Sequence, residues 1–232
     1  MLEDLKEQVW KANLDLVMLD LVTLTWGNVS GLDKKKGLVA IKPSGISYER
    51  MKPSHIVLVD LDGKRVEGKL NPSSDTPTHL ELYKAFAEIG AVTHTHSEYA
   101  TIFAQAAMEI PCLGTTHADV FNGPVPVTRF LTRAEVEKAY EKNTGKVIVE
   151  RFQNLKPLEM PGVLVAGHGP FTWGKNPDEA VEHNLALEKI AKMALGTLLL
   201  RPRPVRFPQC LQEKHYQRKH GPRAYYGQKK KE

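Results

Sequence analysis

Leu5, Val9, Leu16 and Leu19 recur near helical spacing with charged residues between them, which predicts an amphipathic helix over residues 2–20. Two short β-rich runs follow, Gly37–Ile41 and Ile56–Val59, each closed by Pro, Gly or charged residues. Residues 78–86 (THLELYKAF) read as helix, residues 91–96 (AVTHTH) alternate as a strand, and residues 98–107 (EYATIFAQAA) read as helix again. Strands and helices are thus interleaved, which places the chain in the α/β or α+β class. Thr132-Arg133-Ala134-Glu135 has the Thr-x-x-Glu form in which hydroxyl and carboxylate satisfy each other's free helix-start amides, so a helix is predicted to begin there. Asn176-Pro177-Asp178-Glu179 predicts a second start, with the helix running to about Leu199 and stopped by Arg201-Pro202-Arg203-Pro204. Without an internal repeat, a low-complexity tract or a separating linker, the expectation is one domain over residues 1–232. Its C-terminal extension, residues 201–232, must pack somewhere.

A chain of 232 residues with 41% hydrophobic content has enough apolar material for a core, which excludes disordered and collagen-like classes. The longest apolar run, Ile190–Leu200, falls short of the roughly 20 residues a bilayer requires and is interrupted by Lys192 and Gly196, so no membrane partner is expected. Residues 1–6 (MLEDLK) lack the features of a secretory signal, and a cytoplasmic location is expected. Cys112 and Cys210 have no second Cys at metal-ligand spacing and read as two reduced thiols, behaving as small hydrophobes.

Charge is unevenly spread. Residues 201–232 carry ten Lys and Arg against Glu213 and Glu232, a charge of +8, which leaves −3 on residues 1–200. The tail lacks a nucleic-acid-binding motif, so no nucleic-acid partner is expected and a small anionic substrate fits it equally well.

The chemistry-bearing residues are histidines and small-residue loops. In His94-Thr95-His96, strand alternation puts both imidazoles on one face about 7 Å apart along the backbone, a spacing that suits chelation but also occurs incidentally. His168, delivered by the apolar run Val163-Leu164-Val165-Ala166 into a turn flanked by Gly167 and Gly169, is either a third ligand or a turn-capping histidine. Asp75 either completes the shell or caps the helix that follows it. Trp26-Gly27-Asn28-Val29-Ser30 and Lys42-Pro43-Ser44-Gly45, each after a β-like run, and Ser73-Ser74 beside a helix start offer hydroxyls and amides for an anion; each also suits a plain turn.

Taken in order, WGNVSG, IKPSG, PSSDTPTH, HTHS, GTTHAD, MPGVLVAGHGPFTWG and KHYQRKHGPRAYYGQ resemble the L-ribulose-5-phosphate 4-epimerases of the class II aldolase superfamily, over residues 1–228. The resemblance implies an α/β/α sandwich around a mainly antiparallel sheet, and a cyclic homotetramer with active sites between neighbouring subunits. It also implies one divalent ion per site, usually Zn2+, with Mn2+ or Co2+ as alternatives. His94, His96 and His168 match the metal-binding histidines, and Asp75 the acid beside them. Gly27, Asn28, Ser44, Gly45, Ser73 and Ser74 match the substrate-phosphate loops, with Lys42 beside them. Asp119 and Tyr226 match the pair that trades protons with substrate, although read alone they are a turn acid and a surface aromatic; His215 and Arg218 are helpers in the tail. Ala166 departs from the family pattern, which has another His at that position, and residues 229–232 extend past the matched end as a solvated terminus.

In L-ribulose 5-phosphate the C4 proton is not alpha to the C2 carbonyl, so inversion at C4 implies cleavage of C3–C4 and re-addition of glycolaldehyde phosphate from its other face. One proton carrier is then needed per face. The alternatives are a sibling aldolase that releases its aldehyde, typically with Glu where Asp75 stands, and a non-catalytic scaffold of the same fold, as in the adducin head, which generally lacks the three histidines.

Overall fold

A seven-stranded sheet, antiparallel at every strand pairing, runs through the centre of the structure, a computed structural model that describes residues 2–227. Residues 229–232, expected as a solvated terminus, lie outside the described residues. The strands are β1 (Asn28–Asp33), β2 (Leu38–Ile41), β3 (Val57–Asp60), β4 (Arg65–Glu67), β5 (Ala91–His94), β6 (Gly162–Val165) and β7 (Gly169–Gly174), in the order β4-β3-β2-β1-β5-β7-β6. β1 to β4 pair in chain order, β5 returns to the free edge of β1, and the β6–β7 hairpin joins through β7.

Residues opposite one another in register share a face. Asn28, Ser30, Val92, His94, Phe171 and Trp173 therefore point one way, and Val29, Gly31, Ala91, Thr93 and Thr172 the other. The first face is covered by α2 (Thr76–Ala85), backed by α5 (Arg133–Arg151). The second is covered by α1 (Glu3–Met18) and α6 (Pro177–Leu200), giving the expected α/β/α sandwich. α1 sits low on β1 because residue 31 is glycine: a β carbon there would lie 2.9 Å from Leu5 Cδ1 and 3.0 Å from Val9 Cγ2. On the first face, Trp173 meets Phe86 and Phe152, each just past the end of α2 or α5, at ring-centre distances of 5.3 and 5.0 Å. All three rings are buried, and such pairs add about 0.5–1.5 kcal/mol each beyond their buried area, pinning both helix ends to β7.

Both predicted helix starts form. Thr132 Oγ1 accepts from Glu135 N while the Glu135 carboxylate accepts from Thr132 N, and Asn176 Oδ1 accepts from Glu179 N. α3 (Glu98–Gln105) is capped from outside by buried Glu188 on α6, whose oxygens accept from the amides of Tyr99 and Ala100 at 2.9 Å each.

Several expectations are corrected. β5 ends at His94 rather than His96; beyond it the Thr95 hydroxyl donates to Asn184 Oδ1 on α6 and the chain leaves the ladder. The apolar run at residues 21–25 is not a strand, so Trp26 and Gly27 precede β1 instead of following a β run. α5 is interrupted at Ala139, and Cys210 is exposed rather than packed as a hydrophobe. Within the basic extension, α7 (Gln209–His220) packs on α4 (Thr115–Ala118) and buries Tyr216. Among the described residues, no helix is long and apolar enough to cross a membrane.

Candidate metal and anion site

β5 and the β6–β7 turn bring three imidazoles together. The ligand nitrogens of His94, His96 and His168 lie within 4.8 Å of one another, and the ring centres are 4.7–5.0 Å apart. Although His96 lies beyond the strand, the chain keeps it beside His94, with the two Nε2 atoms 3.2 Å apart. Two ligands about 2.0–2.1 Å from one tetrahedral ion are separated by roughly 3.3 Å, so the spacing fits a shared cation. The His94 ring is fixed: it stacks on Phe171 at 4.1 Å, and its Nδ1–H donates to Pro170 O at 2.9 Å, which leaves the Nε2 lone pair for an ion. Burial together with His94 and His96 lowers His168 to about 3, and loss of water around the His96 ring, with His94 beside it, lowers His96 as well. Both rings are neutral near pH 7, as metal ligation would require. His96 is solvent-facing and His168 half-buried, so the cluster opens outward.

Asp75 stands at the start of α2, yet its carboxylate makes no capping bond. It accepts instead from Asn28 Nδ2 at 2.7 Å. Burial works against its charge, but His94, His79 and the Asn28 amide outweigh it and hold the carboxyl below its ordinary range. Behind it runs a buried chain of polar groups, with Ser30 Oγ 2.7 Å from both His79 Nδ1 and Tyr83 Oη.

Beside the histidines is a cleft of 320 Å³ lined by Gly27, Asn28, Lys42, Ser44, Gly45, Ser73, Ser74 and Asp75. Its two loops are zipped together: Ser73 N donates to Lys42 O and Ser44 N to Asn71 O. Lys42 is buried, with its ammonium 4.8 Å from the centre of the Tyr48 ring and, among the described residues, no carboxylate at ion-pair distance. Burial lowers it to about 8, against the pull of Asp75, so it remains charged at neutral pH and is suited to an anionic guest. The buried Asn28 Oδ1 has no hydrogen-bond partner among the described residues and is an acceptor suited to a hydroxyl.

Asp119 and Tyr226 do not line this cleft. Asp119 follows α4 and is gripped by α7: Arg218 Nη2 donates to Oδ2 at 2.8 Å, His215 Nδ1 lies 3.0 Å from Oδ1, and Lys219 Nζ lies 3.5 Å from Oδ2. Burial opposes its charge, but Arg218, His215 and Lys219 outweigh it and keep the carboxyl below its ordinary range. Tyr226 is exposed, its ring 4.9 Å from the Arg218 guanidinium and 4.5 Å from Lys219 Nζ. The structure therefore assembles two groups, one around His94 and one around Arg218.

A family model described as the Class II Aldolase and Adducin N-terminal domain matches residues 7–195. The chain belongs to the class II aldolase family. Among solved structures, it is similar to an L-fuculose 1-phosphate aldolase at 31% identity and a TM-score of 0.78, covering 93% of this chain and 95% of that one. An L-fuculose 1-phosphate aldolase from Glaciozyma antarctica PI12 has 19% identity and a TM-score of 0.75 over 93% of this chain and 81% of that one, and a sugar-phosphate aldolase from Thermotoga maritima has 23% and 0.65 over 89% and 98%. These last two likenesses bear on the fold alone.

The class II aldolase match ends before the extension, so α7 and its grip on Asp119 lie beyond it. Sequence reasoning missed three members of the site. Tyr48 holds the entry to β1 by donating to Gly27 O and Trp26 O, His79 backs Asp75, and Tyr140 lies against His168. His79 was visible inside PSSDTPTH as a histidine four residues after the acid, but Tyr48 and Tyr140 sit in polar stretches with no motif to mark them.

Proposed function

We propose that this protein is a metal-dependent epimerase that converts L-ribulose 5-phosphate to D-xylulose 5-phosphate by cleaving and re-forming the C3–C4 bond. The carrying observation is the convergence of His94, His96 and His168 beside a cleft that holds a buried ammonium, Lys42, with no carboxylate at ion-pair distance among the described residues, and the hydroxyls of Ser44, Ser73 and Ser74. A divalent ion on the histidines, Zn2+ with Mn2+ or Co2+ as alternatives, supplies Lewis-acid stabilisation of the negative charge left on the substrate's oxygens when the bond breaks.

The residues of the chain do the remainder. Lys42 and the loops of Gly27-Asn28, Ser44-Gly45 and Ser73-Ser74 hold the phosphate while the glycolaldehyde phosphate fragment turns, which preserves its effective concentration for recombination. One carrier takes the C4 hydroxyl proton as the C3–C4 electron pair moves to C3, and a second returns a proton after addition to the opposite aldehyde face. Asp119 and Tyr226 fill these roles in the proposal. Because neither lines the cleft of its own chain, they serve a neighbouring subunit in a homotetramer, which makes the extension part of the active site.

A second reading is favoured by the 31% identity to an L-fuculose 1-phosphate aldolase: the same site cleaves the bond and releases the aldehyde. Asp75 favours the epimerase, since the aldolase branch resembles this one but typically carries the longer Glu there. The test is incubation of metal-loaded protein with L-ribulose 5-phosphate and, separately, L-fuculose 1-phosphate. D-xylulose 5-phosphate is the expected product; lactaldehyde release from the second substrate, without epimerisation of the first, would replace the reading with the aldolase.

A further inference from the structure

α5 is broken where local sequence gives no reason for a break. Ala139 has φ −167° and ψ 73°, ordinary extended backbone but not helical, within Glu137-Lys138-Ala139, three good helix formers with neither Pro nor Gly. The break is held by side chains rather than tolerated. Glu135 O, whose regular helical donor would be the amide of residue 139, accepts from the buried Asn143 Nδ2 at 2.7 Å. One turn later, Thr78 on α2 donates its hydroxyl to Glu141 O at 2.6 Å, which anchors the second half of the helix to α2.

The residue immediately after the break is Tyr140, and its Oη lies 3.3 Å from His168 Nδ1. His168 has more need of such a partner than His94 does. His94 is stacked and bonded to a backbone carbonyl, whereas His168 sits in a hairpin turn between Gly167, at φ +72°, and Gly169. Glycines on both sides leave little to restrain the ring's direction.

We infer that Tyr140 is a positioning residue for the third metal ligand: its phenol oxygen accepts from His168 Nδ1–H, fixing the tautomer and presenting Nε2 to the ion, and the break at Ala139 is the device that delivers it. This rests on the reading of His94, His96 and His168 as metal ligands. It does not depend on which sugar phosphate is the substrate.

The test is metal binding by the full-length protein, free of substrate. Apo protein is titrated with Co2+, and Zn2+ affinity is measured by competition with a chelator, for wild type, Tyr140→Phe, Asn143→Ala and His168→Ala. Tyr140→Phe keeps the ring and loses only the hydroxyl; it is expected to bind Zn2+ about 10–100-fold more weakly and to shift the visible Co2+ bands, with an unchanged circular dichroism spectrum. Asn143→Ala, which touches no ligand, is expected to change both readouts in the same direction by releasing the break. If His168→Ala abolishes tight binding but Tyr140→Phe retains wild-type affinity and Co2+ bands, the positioning role is overturned. Wild-type binding by His168→Ala would instead overturn the metal-ligand reading beneath it.

Discussion

Arg218 lies along the carboxylate of Asp119, with Nη2 2.8 Å from Oδ2 and Nε 3.2 Å from Oδ1, while its guanidinium carbon sits 4.9 Å from the centre of the Tyr226 ring. One side chain thus links both proposed proton carriers, one by a two-pronged ion pair and the other by cation–π contact. Arg218→Gln is expected to lower turnover by about 100-fold or more, as removal of a proton-transfer arrangement does, and to leave metal content unchanged. Steady-state kinetics with metal analysis on the same preparation checks this. Turnover within about threefold of wild type would reduce Arg218 to a packing contact.

Truncation after Pro222 separates the extension's two functions. It leaves α7 complete to His220, with Tyr216 buried and Asp119 gripped, but removes Tyr226. The expected enzyme binds metal and melts like wild type yet does not epimerise, because phosphate and metal sites survive while one face of C4 loses its proton carrier. Full turnover by this truncation would take the tail out of the site.

How much of this was legible in the sequence follows from the range of each interaction. The two helix starts at Thr132 and Asn176 were readable because a cap is settled within four residues. The sheet-and-helix class was readable from periodicity, whereas His94, His96 and His168 read alone were only candidates and were grouped by the resemblance to the epimerases. The break at Ala139 was not, since its causes are Asn143 and Thr78, acting on carbonyls that a helical pattern treats as satisfied. The grip of α7 on Asp119 joins residues 96 to 99 positions apart, and nothing local in Thr115–Asp119 or Lys214–His220 announces it. Composition gave the tail's charge but not the carboxylate that receives it.

Gly27→Ala tests the entry to the anion cleft. Gly27 has φ +86°, and a β carbon there would lie 2.8 Å from Val22 Cγ1 and 2.9 Å from His94 O, the backbone of a proposed metal ligand. Backbone in that region costs a non-glycine residue about 1–3 kcal/mol, and the contact with a strand carbonyl cannot be relieved by a side-chain rotation. The variant is expected to lose at least about 2 kcal/mol in urea unfolding and to bind metal more weakly, since His94 must shift. Unchanged stability would mean that the 26–27 turn adapts freely and that Tyr48 does not fix it.

The pH dependence of stability provides a check on the buried histidines. Burial lowers His79 to about 3, with Asp75 pulling the other way, and lowers His117 to about 4, with its bond to Gly123 O opposing. Both rings are buried, so in the folded protein they stay neutral down to pH values at which the unfolded chain has already protonated near 6.5. Between these values the unfolded state binds more protons, and stability therefore rises with pH and is lost on acidification. From pH 7.5 to about pH 5, each ring is expected to contribute a loss of about 2 kcal/mol, measured as a lower urea midpoint for metal-free protein. His117→Gln should make that drop smaller by about 2 kcal/mol, because the proton refused by that ring no longer exists in either state. A midpoint that is flat or higher at pH 5 would mean that these rings accept protons in place, and that the interior around Ser30 and Gly123 is wetter than the packing described here.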